Sequence, residues 1–249
     1  MSGALGIVLA AGKGTRMESD LPKVLVPACD RPLVDYVLDA STEAGVDQLV
    51  VVVGYKADDV KDALCGRDNI SFVEQTEQLG TGHAVQVCMD HLTSYDGPVL
   101  VVTGDSPMTQ TESIKALLDL YYEQHPACIL GTLKKDDPTG LGRIVRDADG
   151  NFSGIVEHKD ATPEQLEINE VNMSTYVFDC QHLVRALGKL KNDNNQGEYY
   201  LTDCPGILKS EGLDVQALPV LKPCEALSVN NLADLSAVEA EMKRLNLVK

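Results

Sequence analysis

The chain has 249 residues, 44 % hydrophobic and 24 % charged, with 38 acidic against 21 basic side chains and a formal net charge of −17. That balance excludes a disordered or low-complexity chain and argues against non-specific nucleic-acid binding and against an anionic membrane surface. Trp is absent and Phe occurs three times, so the core must be aliphatic.

Leu5–Leu9 is the first expected strand. It runs into Ala10-Ala11-Gly12-Lys13-Gly14-Thr15-Arg16-Met17, with Pro22-Lys23 close behind. Glycines let a backbone approach a ligand closely, and Lys13, Arg16 and Lys23 suit a polyphosphate. The loop is neither a P-loop nor a dinucleotide fingerprint, because Met17 stands where a third glycine is needed. On the glycine pair alone, an ordinary strand-to-helix turn is the simpler reading; the three cations tip it toward an anion cradle.

Pro32 opens a helix with Leu33, Tyr36, Val37 and Ala40 on one face, ending at Gly45. Gln48–Val53 is a second strand, Ala57–Leu64 a helix and Ile70–Glu74 a third strand. Thr81 is placed to cap a helix carrying Ala84, Val85, Val87 and Cys88. Pro98–Thr103 is a fourth strand, a helix carries Ile114, Leu117, Leu118, Tyr121 and Tyr122, and Ala127–Leu133 is a fifth strand. This alternation predicts an α/β fold, a mainly parallel Rossmann-like sheet with helices on both faces. The second half breaks the rhythm. Arg143–Arg146 and Phe152–Glu157 flank the turn Asp147-Ala148-Asp149-Gly150 and predict an added β-hairpin lobe. Val171–Asp179 follows as a strand, Leu183–Leu190 as a helix, residues 192–197 as a polar loop and Leu232–Leu247 as a terminal helix. The seven cysteines include no Cys-x-x-Cys pair, and Leu5–Ala11 is too short for a signal peptide or a membrane span. Reduced thiols in a cytoplasmic protein are therefore expected.

Ligands of open parallel sheets bind beyond the carboxyl ends of the strands. Gly104-Asp105 follows the fourth strand there. A carboxylate so placed suits Mg²⁺, though Gly-Asp-Ser-Pro is also turn chemistry. Gln75 and Gln78, beside Gly80 and Gly82, could read a flat base edge or form a polar surface loop.

Leu9–Met17 with Pro22-Lys23 resembles the signature of the sugar-1-phosphate nucleotidyltransferases. Gln78–Ala84, Gly140–Ile144, Ile155–Ala161, Gln196–Asp203 and Val229–Asn231 resemble, more narrowly, the uridylyltransferase domain of the bifunctional N-acetylglucosamine-1-phosphate uridyltransferase/glucosamine-1-phosphate acetyltransferases. The resemblance implies a glycosyltransferase-A-like fold and a Mg²⁺-dependent transfer from UTP to N-acetylglucosamine-1-phosphate. It implies nucleotide contacts from Leu9, Ala10, Ala11, Gly12, Lys13, Gly14, Thr15, Gln75, Gln78, Gly80, Thr81, Thr103 and Gly104. It implies catalytic roles for Arg16, Lys23 and Asp105, with Asp105 and Asn230 holding the metal. Gly142, Glu157, Asn172, Tyr200 and Thr202 would contact the sugar. Glu157 read on its own is as well explained as a cross-strand partner of Arg143 or Arg146. His83 and His158 lie inside these motifs, where a supporting role is expected rather than direct chemistry.

The implied organisation is one nucleotidyltransferase domain over residues 1–249. Residues 1–135 form its nucleotide half, 136–231 its sugar half and 232–249 its last helix. The left-handed β-helix of the bifunctional enzymes does not follow, so no acetyltransferase activity is expected and the oligomeric state is open. Two departures bear on the sugar. Thr103 stands where these domains commonly carry an aromatic residue, and Met173-Ser174 follows Asn172 where they commonly read Thr-Gly. Another hexose-1-phosphate, such as glucose-1-phosphate, is the close alternative. A non-catalytic regulatory subunit is the remote one, because such subunits usually lose the loop cations or the metal carboxylate.

Overall fold

A computed structural model describes residues 3–17 and 19–247, the side chain of Thr15 excepted. The chain begins with β1 (Ala4–Ala10) and then makes a two-strand ribbon, β2 (Pro27–Ala28) and β3 (Arg31–Pro32). Next come α1 (Leu33–Glu43), β4 (Val46–Val53), α2 (Ala57–Leu64) and β5 (Ile70–Glu74). The helix expected around residues 81–88 is two short ones, α3 (Thr81–Gln86) and α4 (Met89–Thr93), and Gly80 rather than Thr81 occupies the N-cap position of α3. The half continues through β6 (Pro98–Thr103), α5 (Thr111–Gln124) and β7 (Cys128–Lys134). The second half adds the hairpin β8 (Arg143–Arg146) and β9 (Phe152–Val156), then α6 (Pro163–Leu166) and the long β10 (Glu170–Asp179). It closes with α7 (Cys180–Leu187), α8 (Asp203–Ser210), β11 (Val215–Leu218) and α9 (Leu232–Arg244).

The main sheet runs β11-β7-β10-β6-β1-β4-β5, with β8 pairing both β10 and β9. Strands β6, β1, β4 and β5 are parallel, as is β11 beside β7; β10 lies antiparallel between β6 and β7. The sheet is therefore mixed and mainly parallel. The hairpin extends it through the Val171–Arg143 pairing instead of standing apart. Alternate residues feed opposite cores, as the two-residue period of a strand requires. Ile7, Val50 and Val52 face one layer, while Val8, Val51 and Val53 face the other. A third cluster holds Met17, Val26, Met108, Val229, Val238 and Met242. Met17 is 1 % exposed, and its burial, worth roughly 2 kcal/mol, anchors the end of the glycine loop beneath α9. Among the described residues, no helix is long and apolar enough to cross a membrane.

From β1 the chain steps outward to β4 and β5, then returns to β6 on the other side of β1. The loops after β1 and β6 thus diverge from neighbouring strands. That divergence is the crevice where open sheets bind ligands.

Candidate active site

The loop after β1 is shaped by what surrounds it. Gly14 has φ +64°, and a Cβ there would meet Lys23 Cβ at 2.6 Å. Only glycine fits both the left-handed backbone and the passing Lys23 stem. Lys23 Nζ donates to Asp105 Oδ2 at 2.5 Å and to Asn230 Oδ1 at 2.9 Å, while Arg16 donates to the same Asn230 oxygen at 3.4 Å. The loops after β1 and β6 and the segment before α9 therefore meet at one ammonium. The Val229 amide, donating to the Asp105 carbonyl at 3.1 Å, fixes that meeting. Asn230 Nδ2 is turned toward Ser228 Oγ, so its oxygen faces the cations.

A cavity of about 270 Å³ opens beside this junction, lined by Leu9, Ala11, Gly12, Gln75, Gln78, Gly80, Thr81, Thr103 and Asp105. Ala84 and Glu198 also line it, and the motifs did not single them out. Ala10 does not: its side chain is buried in the core, so only its backbone can serve a ligand. Gly104 lies buried at the rim, its amide donating to the Leu9 carbonyl at 2.9 Å. Lys13 is exposed, with its ammonium 5.3 Å from the centre of the Tyr55 ring. The Thr15 side chain lies outside the described part of the structure. Thr103 shares a hydrogen bond of 2.9 Å with Ser106 Oγ, a small polar pair where the resemblance leads one to expect an aromatic ring.

The Thr81 hydroxyl does not cap α3. It accepts from the Leu201 amide at 3.1 Å, and the Gly82 amide donates to the Tyr199 carbonyl at 2.7 Å. Gly80 has φ +107°, and a Cβ on it would strike Tyr199 O at 2.6 Å. These contacts lace the 79–82 loop to residues 198–201, the tract that leads to the predicted sugar residues.

Those residues gather on the far side of the tract. A Cβ on Gly142 would lie 3.6 Å from Glu157 Oε1 and 3.7 Å from Asn172 Cβ. Thr202 donates its hydroxyl to Glu157 Oε1 at 3.0 Å. Glu157 does not serve as the cross-strand partner of either arginine. Arg146 pairs with Glu170, and Arg143 is held by the Pro138 and Leu141 carbonyls. Asn172 is held at both ends, its Nδ2 donating to Tyr176 OH at 2.7 Å and its Oδ1 accepting from the Ser174 amide at 3.3 Å. Tyr200 is buried, its hydroxyl accepting from Gln196 Nε2 at 2.7 Å.

Glu157, Asp160, Asp193, Tyr200 and Asp203 share a cavity of about 350 Å³. Burial pushes the Glu157 carboxyl above its ordinary range, with Thr202 pulling the other way. Asp203 is raised too, first by burial and then by the neighbouring charges of Glu157, Asp193 and Asp160. The motif reading missed Asp203; its place after Thr202 was the available signal. It also missed Lys135, which lines a third cavity of about 370 Å³ together with Arg16 and Asn230.

The family model of the MobA-like NTP transferase domain matches residues 6–196. The chain belongs to that family. The chain is 44 % identical over 248 residues, 99 % of its length, to the bifunctional protein GlmU of Shouchella clausii, and covers 54 % of that relative. It is 45 % identical over 238 residues to the bifunctional protein GlmU of Exiguobacterium sibiricum, covering 96 % of this chain and 53 % of the relative. The chain thus spans about half the length of the curated relatives it matches. A crystal structure of UDP-glucose pyrophosphorylase complexed with UDP-glucose superposes with a TM-score of 0.77 at 17 % identity, over 97 % of this chain and 98 % of that one. At that identity the match bears on the fold, which is the glycosyltransferase-A-like arrangement the motifs implied.

Proposed function

We propose that this chain is a UDP-N-acetylglucosamine pyrophosphorylase that transfers a uridylyl group from UTP to N-acetylglucosamine-1-phosphate. A phosphate oxygen of the sugar phosphate attacks the α-phosphorus of UTP in line, forming a new P–O bond. The α–β bridge breaks, and pyrophosphate leaves with the electron pair. The observation that carries this reading is that residues 198–202 join an amide-lined cavity to a sugar-suited rim, through Leu201 on Thr81 and Thr202 on Glu157, while Asp105 joins the same cavity to the cation-and-carboxylate junction. The identity to the GlmU proteins supports it over nearly the whole chain. No nucleophile–base pair is needed, because positioning and charge neutralisation lower the barrier.

In this reading Gln75, Gln78, Gly80 and Thr81 hold the base. Leu9, Ala10, Ala11, Gly12, Gly14, Thr15, Thr103 and Gly104 line the path of the ribose and phosphates. Arg16 and Lys13 neutralise the departing pyrophosphate, and Lys23 sits near the phosphates being joined. Gly142, Glu157, Asn172, Tyr200 and Thr202 orient the amino sugar. Residues 1–135 then serve the nucleotide and 136–231 the sugar, and the protein works in the cytoplasm.

Asp105 and Asn230 suit Mg²⁺. Their side-chain oxygens already converge on one cation, the Lys23 ammonium, at 2.5 and 2.9 Å. Among the described residues there is no group of three or more His, Cys, Asp and Glu for a protein cage. Two protein oxygens, with water and phosphate completing the shell, are how Mg²⁺ is commonly held. When bound, it would polarise the phosphates and offset their charge.

The test is pyrophosphate release from UTP with a panel of sugar-1-phosphates, with and without Mg²⁺. N-acetylglucosamine-1-phosphate should give the highest kcat/KM. Preference for glucose-1-phosphate would move the assignment to that sugar, and no turnover with any sugar would remove the enzyme reading.

A further inference from the structure

Gln75 is 3 % exposed yet lines the base cavity, so the direction of its amide decides what the cavity offers a ligand. Its Nε2 lies 3.1 Å from the Gly80 carbonyl oxygen and 3.0 Å from His83 Nδ1. The carbonyl can only accept, so the NH₂ end of Gln75 must face it. Both Nε2 protons are then used, one on Gly80 O and one on His83 Nδ1. His83 must accept at Nδ1, which puts its ring proton on Nε2. Among the described residues no donor reaches Gln75 Oε1, the polar end left for the cavity. Gln78, on the same wall, donates through Nε2 to the Gln75 backbone carbonyl at 3.1 Å, and its second N–H is not used there.

Resting on the uridylyltransferase reading, we infer that His83 is a positioning residue that fixes the Gln75 amide, so that an acceptor faces the base and pyrimidines with an N–H between two carbonyls are chosen over cytosine. Uracil offers N3–H as a donor beside carbonyl acceptors. Cytosine offers an N3 acceptor beside an amino donor, the reverse pattern. An acceptor held at Gln75 Oε1 pairs with the first and opposes the second. If the amide were free to turn, it would present NH₂ as readily and the distinction would fade. Turning it in place would set two oxygens against each other at Gly80 and leave a lone pair opposite the acceptor of His83. A site that hydrogen-bonds with fixed polarity discriminates far better than one that adapts.

The experiment compares UTP with CTP by kcat/KM in wild type, His83→Leu and His83→Asn, with thermal melts to confirm folding. Leucine removes the acceptor at similar volume, and the asparagine oxygen can take the place of Nδ1. The UTP preference should fall roughly tenfold in His83→Leu, through KM for the nucleotide, and return in His83→Asn. The second measurement needs no variant: ¹⁵N NMR of the wild-type protein should show His83 with Nδ1 unprotonated and the proton on Nε2. A folded His83→Leu with undiminished UTP preference, or a wild-type ring carrying its proton on Nδ1, overturns the inference while leaving the uridylyltransferase reading in place. A wild-type protein with no turnover of UTP overturns both.

Discussion

In the proposed reading, the base end and the sugar end of the cleft each orient an amide, but they do so in opposite electrostatic settings. At the base end, Gln75 is steered by a backbone carbonyl and an imidazole nitrogen. At the sugar end, Asn172 is steered by the Tyr176 hydroxyl and the Ser174 amide, close to a cavity that holds Glu157, Asp160, Asp193 and Asp203. On that reading, selection at the base end would rest on directional hydrogen bonds between uncharged partners. The sugar end would add the half-buried carboxylates Glu157 and Asp203, which grip hydroxyls more strongly but are costly to keep ionised. The difference teaches that the two ends should respond differently to the same kind of change: polarity swaps at the base end alter selectivity, while charge removal at the sugar end trades affinity against stability.

The junction between the ends belongs to neither and should show the largest effect. Asp105→Ala removes one of the two oxygens on Lys23 and leaves the ammonium with Asn230 alone. Turnover should fall at least about a hundredfold, the scale of losing one preorganised electrostatic group, while the melting temperature stays near that of wild type. KM for the two substrates should move together. Near-normal turnover would take Asp105 out of the proposed metal site, and a change confined to one substrate would assign the junction to that end.

Glu157→Gln comes next and tests the trade directly. The sugar-phosphate KM should rise about tenfold, as when a charged hydrogen bond becomes a neutral one, while the UTP KM stays put. The stability effect has the opposite sign. The Glu157 carboxyl is raised above its ordinary value by burial, so between the two values the folded state holds a proton that the unfolded state has lost. Stability therefore falls as pH rises through that window and stays lowered above it. Glutamine removes this term. The variant should melt higher than wild type at neutral pH, and the gain should vanish below the ordinary carboxylate range. A lower melting temperature at neutral pH would mean that the Thr202 hydrogen bond, and not burial, dominates at Glu157.

Tyr176→Phe probes the amide without touching a charge. Tyr176 is fully buried, and its loss of a hydroxyl leaves Asn172 Nδ2 without its partner. The sugar-phosphate KM should rise about fivefold, with stability lowered by about 1–3 kcal/mol in a denaturant melt. The UTP KM should not change. A parallel rise in both would show that the two ends are coupled through residues 198–202 and are not separable.

Much of this was legible before any coordinates. The β-branched run at residues 50–53 and the apolar run at 99–102 could hardly be other than buried strands, and the glycine loop, Gln75, Gln78 and Asp105 all follow strand ends. What escaped notice lacked a local signal. Helix α8 contains Pro205 and Gly206, which read as breakers, yet Pro205 falls in the first turn where its missing N–H is no loss. The β2–β3 ribbon turns through Cys29 and Asp30, both at positive φ, without the Asn-Gly or Asp-Gly pair that announces such a turn. Strand β11 is four residues long and is stabilised by β7 rather than by its own pattern. Roles set by side-chain contact, such as His83 against Gln75 or Tyr176 against Asn172, have no sequence signature, because the partners are chosen by packing.

The smallest expected effect sharpens the sugar end further. Ser174 has φ +56°, in the left-handed region, at the irregularity where β10 slips register between Asn172 and Thr175. Its backbone N–H holds Asn172 Oδ1, and its hydroxyl also lies against the Tyr176 phenol. Ser174→Gly keeps the N–H and removes the hydroxyl. Glycine adopts this backbone without strain but loses more entropy on folding, so the two contributions offset and stability should change by less than about 1 kcal/mol. If the backbone amide is what orients Asn172, the sugar-phosphate KM stays at the wild-type value. A rise matching that of Tyr176→Phe would instead show that the hydroxyl holds the phenol, and the phenol the amide, which would make the sugar end a relay of side chains where the base end leans on a backbone carbonyl.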